Sequence, residues 1–247
     1  MALRKFLGAA TSGDLEAVKS LLISDDHREL LDGAANEGNT ALICASASGR
    51  EKVVRYLLEK GAKLDVCNDY GWTALMAASY WGHESIVSIL LQYNFKLANF
   101  MNRYYCTPLS SAARRNHIHV AELLISKGAA VNVNEGHTPL MTAVQHGHDL
   151  MVELLVTKGA NVNCKDPLTG WTPLMLAALN GHTTAAQILI KNGANCNEVN
   201  VLDKTAFEIA KKRKRKDVEN LLDRVTTLGI RNPGNVLYLY REFVFML

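Results

Sequence analysis

The sequence predicts an all-α protein made of stacked helix pairs, and three observations carry that prediction. A Thr-Ala/Pro-Leu triplet (Phe207 takes the last place in the final copy) begins at Thr40, Thr73, Thr107, Thr138, Thr172 and Thr205, with gaps of 33, 34, 31, 34 and 33 residues. Every triplet but the last is followed by apolar residues at i, i+1, i+4 and i+5, as in Val53, Val54, Leu57 and Leu58 or Ile86, Val87, Leu90 and Leu91. Most units then close on Gly-Ala, at residues 61–62, 128–129, 159–160 and 193–194. A fixed period near 33 marks a repeat architecture, in which no unit buries its own apolar surface and neighbours do it by stacking.

The unit between Gly71 and Asn94 shows each element in order. Gly71 permits a positive φ in a turn. Thr73 stands at a helix start, where its hydroxyl can accept from an unpaired backbone N–H. Leu75, Met76, Ala78 and Ser79 lie in a short first helix, whose small residues allow close approach by its neighbours. Gly82-His83 ends that helix. A second helix starts near Glu84 and carries the apolar stripe on a 3.6-residue period. The ends read as caps. Residues 2–24 have no preceding turn signature, and the last stripe, Val218, Glu219, Leu222 and Asp223, is half polar, as a solvent-facing end unit requires.

Composition narrows the function classes. The 247 residues are 48% hydrophobic and 21% charged, ordinary globular values. Net charge is +3, but without residues 211–216 the count is 21 basic against 24 acidic residues, so the basic balance is one local run. Five scattered cysteines without a CxxC pair argue against a disulfide scaffold or zinc site and fit a reducing compartment. No apolar run approaches the ~20 residues of a membrane helix, and the first eight residues lack a secretory signal, so the expectation is an intracellular, cytoplasmic protein. No hydrolase, zinc-protease, nucleotide-loop or dinucleotide fingerprint is present. The reading is therefore no enzyme, no cofactor and no metal.

Gly-Trp-Thr-Ala-Leu-Met-Ala-Ala at 71–78, Gly-His-Thr-Pro-Leu-Met at 136–141 and Gly-Trp-Thr-Pro-Leu-Met-Leu-Ala-Ala at 170–178 resemble the ankyrin repeat. The resemblance implies a solenoid of about seven helix-turn-helix units joined by short β-hairpin loops. It covers residues 1–224, with the first and last units as caps, and residues 225–247 read as a linker and an apolar tail. Departures from the family pattern (Tyr105 and Asp203 for the turn glycine, Asn94-Phe95 for Gly-Ala) predict irregular loops around residues 94–106 and 129–136.

The family architecture implies a protein-binding scaffold or adaptor that uses loop tips and first-helix edges on a concave face. Counted from each threonine, those positions are four, three and one before it, and seven and eight after it. They give Asp69, Tyr70, Trp72, Tyr80 and Trp81 in one unit, and Arg103, Tyr104, Cys106, Arg114 and Arg115 in the next. Asn134, Glu135, His137, Gln145 and His146 follow, then Trp171, Leu179 and Asn180. Aromatic residues are only 7% of the chain, so four in one set is a concentration. Trp, Tyr and Arg dominate interface hot spots. The expected binding residues are Tyr70, Trp72, Tyr80, Trp81, Arg103, Tyr104, Arg114, Arg115, His137, His146 and Trp171. The competing reading is that the aromatics pack loop against loop.

Three stretches, residues 68–76, 170–178 and 202–210, resemble more narrowly the scaffolds that combine ankyrin repeats with a SAM domain. That resemblance implies a cytoplasmic and primary-cilium location. Its implied partners are inversin-like and nephrocystin scaffolds and a NIMA-related kinase. It also implies asparaginyl hydroxylation, with Asn132, Asn163 and Asn197 as candidates. An alternative is a nuclear or signalling regulatory cofactor directed by the basic run at 211–216; a solvated helical surface is the competing reading of that run. His83, His117, His148 and His182 share one repeat position, which points to packing rather than metal binding.

Overall fold

The computed structural model describes residues 1–23, 27–133 and 136–227. The expected surface positions Asn134 and Glu135, and residues 228–247 of the linker and tail, lie outside the described residues. Among the described residues there are helices and turns and no strand. The chain divides into two compact units, Met1–Ala130 and Val131–Leu247.

The first unit contains α1 (Ala2–Ser12), α2 (Leu15–Leu21), α3 (His27–Leu31), α4 (Ala41–Ala47), α5 (Glu51–Glu59), α6 (Ala74–Trp81), α7 (Glu84–Tyr93), α8 (Pro108–Arg114) and α9 (Ile118–Ser126). First helices α1, α4, α6 and α8 pack in series, and second helices α2, α5, α7 and α9 form a companion layer. The second unit repeats the plan. It contains α10 (Pro139–Gln145), α11 (Asp149–Thr157), α12 (Pro173–Asn180), α13 (Thr183–Lys191), α14 (Ala206–Lys212) and α15 (Lys216–Thr227). Its first helices α10, α12 and α14 pack in series against α11, α13 and α15. The described residues thus hold seven helix pairs.

The repeating threonines do what their position predicts. Thr40, Thr73, Thr107, Thr138, Thr172 and Thr205 each accept a hydrogen bond from the backbone N–H three residues on, at 3.1–3.3 Å. First helices are apolar nearly all round: Ala74 through Ser79 are all buried in α6. Second helices bury one stripe, Ile86, Val87, Ile89, Leu90 and Leu91 in α7. At the end of the second unit Val218 and Leu222 are fully buried while Asp223 is exposed, as an end cap requires. The stripe continues to buried Val225, so α15 runs to Thr227, past the expected linker start.

The loops are tight turns rather than ladders. Two backbone bonds close such a tip, for example Asn68 N–H to Trp72 O at 3.0 Å with Gly71 N–H to Asn68 O at 2.8 Å, and Asn102 N–H to Cys106 O at 3.0 Å with Tyr105 N–H to Asn102 O at 2.9 Å. The remaining donors turn to a side chain. Asn68 Oδ1 accepts from Tyr70 N–H and Trp72 N–H, Asn102 Oδ1 from Tyr104 and Cys106, and Asn200 Oδ1 from Leu202 and Lys204. An Asx side chain that satisfies two amides replaces a partner strand. The expected irregularity appears at Phe95–Asn99, a short 3-10 helix. At the other departures the turn survives: Tyr105 and Asp203 take the left-handed conformation of the missing glycine, at φ 60° and 53°.

Candidate functional site

A histidine bridge fixes where the first-helix ends lie. His83 Nε2 donates to the carbonyl of Ala47 at 3.0 Å, His117 to Tyr80 at 3.0 Å, and His182 to Gln145 at 3.3 Å. A carbonyl only accepts, so Nε2 carries the proton in each. Arginine takes over elsewhere: Arg50 Nε donates to Thr11 O at 2.9 Å and Arg215 Nε to Leu179 O at 3.3 Å. Glycine is needed opposite, because a Cβ on Gly82 would lie 2.5 Å from His117 Nδ1. Burial lowers the pKa of His117, and the Tyr80 carbonyl opposes that only in part. The shared position read from the sequence is thus a tie between consecutive repeats.

In the first unit the bridge holds the α6 end beside the α8 end, and the predicted aromatic and basic residues meet there. Trp72 and Tyr80 are edge-to-face with centroids 5.1 Å apart, and Tyr80 and Trp81 are edge-to-face at 5.3 Å. The Arg115 guanidinium lies over both Tyr80 (4.8 Å) and Trp81 (5.4 Å). Trp81 is 50% exposed, Arg114 and Arg115 are exposed, and Trp72 and Tyr80 are half-buried. Arg114 lies close enough to Cys106 to oppose the upward shift that burial gives its thiol.

A second cluster forms at the loop tips of the same unit. Arg103 stacks on Tyr104 at 5.0 Å and donates from its guanidinium to the backbone carbonyl of Asp69. Tyr70 and Tyr104 stand half-exposed at consecutive tips, linked by Asn102 Nδ2 to Tyr70 O at 3.5 Å.

The second unit carries a different surface at the same positions. His137 is half-buried, and its Nε2 is buried with no hydrogen-bond partner among the described residues. Burial holds its pKa low, against the pull of Asp166. His146 is exposed, stacks on His148 at 5.8 Å and bonds Thr142 O through Nδ1 at 2.9 Å. Trp171 is half-buried, and its carbonyl accepts from Asp166 N–H at 2.9 Å. The position rule also points to Leu168, Val201 and Leu202, left out above. They are 82%, 64% and 69% exposed at consecutive tips joined by Val201 N–H to Thr169 O at 3.1 Å.

Two of the hydroxylation candidates are structural ties. Asn132 donates to Gly159 O at 2.9 Å and accepts from Asn161 N–H at 2.8 Å; Asn163 does the same with Gly193 O at 2.9 Å and Asn195 N–H at 2.7 Å. Asn99 repeats the pattern in the first unit with Gly128 O and Ala130 N–H. Asn197 is exposed, and its side-chain amide makes no hydrogen bond among the described residues. The sequence signal for this ladder was an Asn about thirty residues before a backbone donor, too weak to read alone.

Residues 211–216 span the end of α14, a turn in which Lys214 has φ 56°, and the start of α15, and all six are exposed. Burial raises the thiol pKa of Cys44, Cys106 and Cys164, and pushes Cys196 up to about 11, so these four stay protonated near neutrality. A groove of about 330 Å³ on the second-helix layer of the second unit is lined by Glu153, Thr157, Gln187 and Lys191 among others. No described helix is long and apolar enough to cross a membrane, and no three His, Cys, Asp or Glu side chains among the described residues gather as metal ligands.

Comparison with curated proteins yields no match. The ankyrin repeat domain of human ASB11, a crystal structure, is similar to this chain at 25% identity and a TM-score of 0.76, over 88% of this chain and 96% of that one. The family described as ankyrin repeats (3 copies) matches at residues 6–99, 96–166 and 151–231. Matched over most of its length and built of the same capped helix pairs, the chain belongs to the ankyrin-repeat family.

Proposed function

We propose that the chain is a non-catalytic scaffold or adaptor that binds other proteins through the exposed edge of its first unit. The observation that carries this reading is the Trp72–Tyr80–Trp81 cluster with Arg115 laid over it. It is a partly exposed surface of rings packed edge to face. Side chains of these types dominate interface energetics. Trp81 contributes most of the open apolar area, Tyr80 orients it, and Arg103 with Tyr104 and Tyr70 extends it to the tips. In the second unit His137, His146 and Trp171 occupy the same repeat positions with a more polar character.

The narrower resemblance is to the N-terminal half of ankyrin-repeat and SAM-domain protein six. It supports a cytoplasmic and ciliary location and a complex containing inversin-like and nephrocystin scaffolds and a NIMA-related kinase. Quantitative affinity purification from ciliated cells tests both parts, comparing the native chain with a Trp81→Ala/Arg115→Ala variant. The expected result is a set of proteins lost from the variant, that kinase among them. An unchanged set with an unchanged melting curve removes the reading. Of the hydroxylation candidates, Asn197 is the one whose side-chain amide makes no hydrogen bond among the described residues.

The second reading, nuclear targeting by the basic run, is favoured by the exposure of all six residues. Arg215 has to be spared in its test, because it bridges to Leu179. Changing Lys211, Lys212, Arg213, Lys214 and Lys216 to Gln should abolish nuclear signal of a tagged chain if this reading holds. An unchanged distribution discards it.

A further inference from the structure

Arg115 is held like a ligand-binding group and has no anion to hold. Its guanidinium rests in the corner made by two perpendicular rings, Tyr80 and Trp81, at 4.8 and 5.4 Å. A guanidinium carries five N–H donors, more than two neighbouring ring faces can engage, and those left over can pair with an oxyanion. No acidic side chain among the described residues lies within ion-pair distance of Arg115 or of Arg103. Some exposed cations elsewhere do pair with an acid: Arg55 with Glu51 at 2.8 Å and Lys19 with Glu16 at 2.8 Å, each pair on one helix. Arg103 repeats the arrangement at the tip, its guanidinium over the Tyr104 ring and anchored to the Asp69 carbonyl.

We infer that this surface binds an acidic peptide segment of another protein, with Arg115 clamping an Asp or Glu carboxylate and the neighbouring face of Trp81 taking an apolar side chain. The inference rests on the protein-binding reading and names the chemistry of that same site. Each clamp offers one guanidinium, which a carboxylate of charge −1 neutralises. A phosphate, near −2 at neutral pH, needs a cluster of arginines. Tyr105 fits this picture. It keeps a left-handed backbone (φ 60°) at the tip, where glycine stands in other repeats, and so adds an exposed ring beside Arg103 and Tyr104. Strain of this kind concentrates at binding surfaces.

The test is a display selection of random 12-residue peptides on the full chain. The enriched peptides are then synthesised with a fluorophore and titrated by anisotropy. The expected outcome is a sequence with Asp or Glu next to Leu, Phe or Trp. Its affinity should fall about tenfold or more with Arg115→Gln, less with Arg115→Lys, and not at all with Lys212→Gln. Replacing its acid by phosphoserine should not improve binding. Far-UV circular dichroism of each variant checks the fold. Enriched peptides that depend on Trp81 (tested as Trp81→Ala) but ignore Arg115→Gln, that carry no acid, or that bind tighter when phosphorylated overturn the carboxylate clamp and leave the protein-binding surface standing. Peptides that ignore both variants, or no enrichment at all, overturn the clamp and the surface together.

Discussion

The first helices of the two units end at the same repeat positions, yet they finish differently. At α6 and α8 the positions seven and eight after the capping threonine are Tyr80-Trp81 and Arg114-Arg115. At α10 and α12 they are Gln145-His146 and Leu179-Asn180. Beneath them the frame is shared. Each threonine caps its helix, the glycine–histidine contact of Gly82 and His117 recurs at Gly147 and His182, and Leu90 in one unit and Leu155 in the other are both fully buried. Stacking therefore fixes the interior and leaves the helix ends to vary. The concentration of rings and guanidinium groups in the first unit is a property of its surface, and surface chemistry is where repeat proteins carry their function.

The comparison breaks first if the interiors turn out unequal. Leu90→Ala and Leu155→Ala should each cost about 2–5 kcal/mol, measured by urea unfolding followed by circular dichroism. A negligible loss in either unit would mean that its stripe is not a packed core. Next come the asparagine ties. Asn163→Ala in the second unit and Asn99→Ala in the first each strand a backbone donor and acceptor, and each should cost about 1–2 kcal/mol. Asn197→Ala, whose amide is unbonded, should be silent in the same titration.

A pH titration sharpens the contrast further. Burial lowers the folded pKa of His117 in the first unit and His137 in the second below the usual 6.5. The unfolded chain therefore takes up these protons more readily. Stability is fully present above the unfolded value and is lost as pH falls through the folded one, so it should decline from pH 7 toward 5. The shifted carboxyls, Glu51, Asp166, Glu198 and Glu208, act from their ordinary unfolded values downward, so the decline nearer neutrality belongs to histidine. His117→Gln and His137→Gln should each flatten it; an unchanged slope in both would assign it elsewhere. The smallest expected effect is on the stability of the candidate site itself. Trp81→Ala should change unfolding free energy by no more than about 1 kcal/mol, the scale of an exposed cation–π contact. A loss as large as that of Leu90→Ala would make the cluster part of the core and weaken its reading as a binding surface.

Most of the fold was legible before any coordinate, and particular residues say why. Thr73, Gly82 and the Ile86–Val87–Leu90–Leu91 stripe act within a turn or two of themselves, so their order along the chain carries their meaning. The loops were harder. A β-hairpin was expected, but Asn68 and Asn102 satisfy the donors that a partner strand would have taken. The end of α15 was misplaced because Val225, three residues after Leu222, continues the apolar stripe into what read as linker.

What the sequence by itself determined is the repeating unit: its length, its caps, its two kinds of helix and the list of positions left for a surface. Only the tertiary structure decided that Tyr80 and Trp81 stand perpendicular, that Arg115 from the following repeat lies on them both, and that Asn132 and Asn163 are tied at both ends while Asn197 is not. The physical reason is range. Helix caps and stripes are local, whereas the Arg115 contacts and the asparagine ties join residues about thirty apart, and exposure depends on every neighbour that fails to cover a residue.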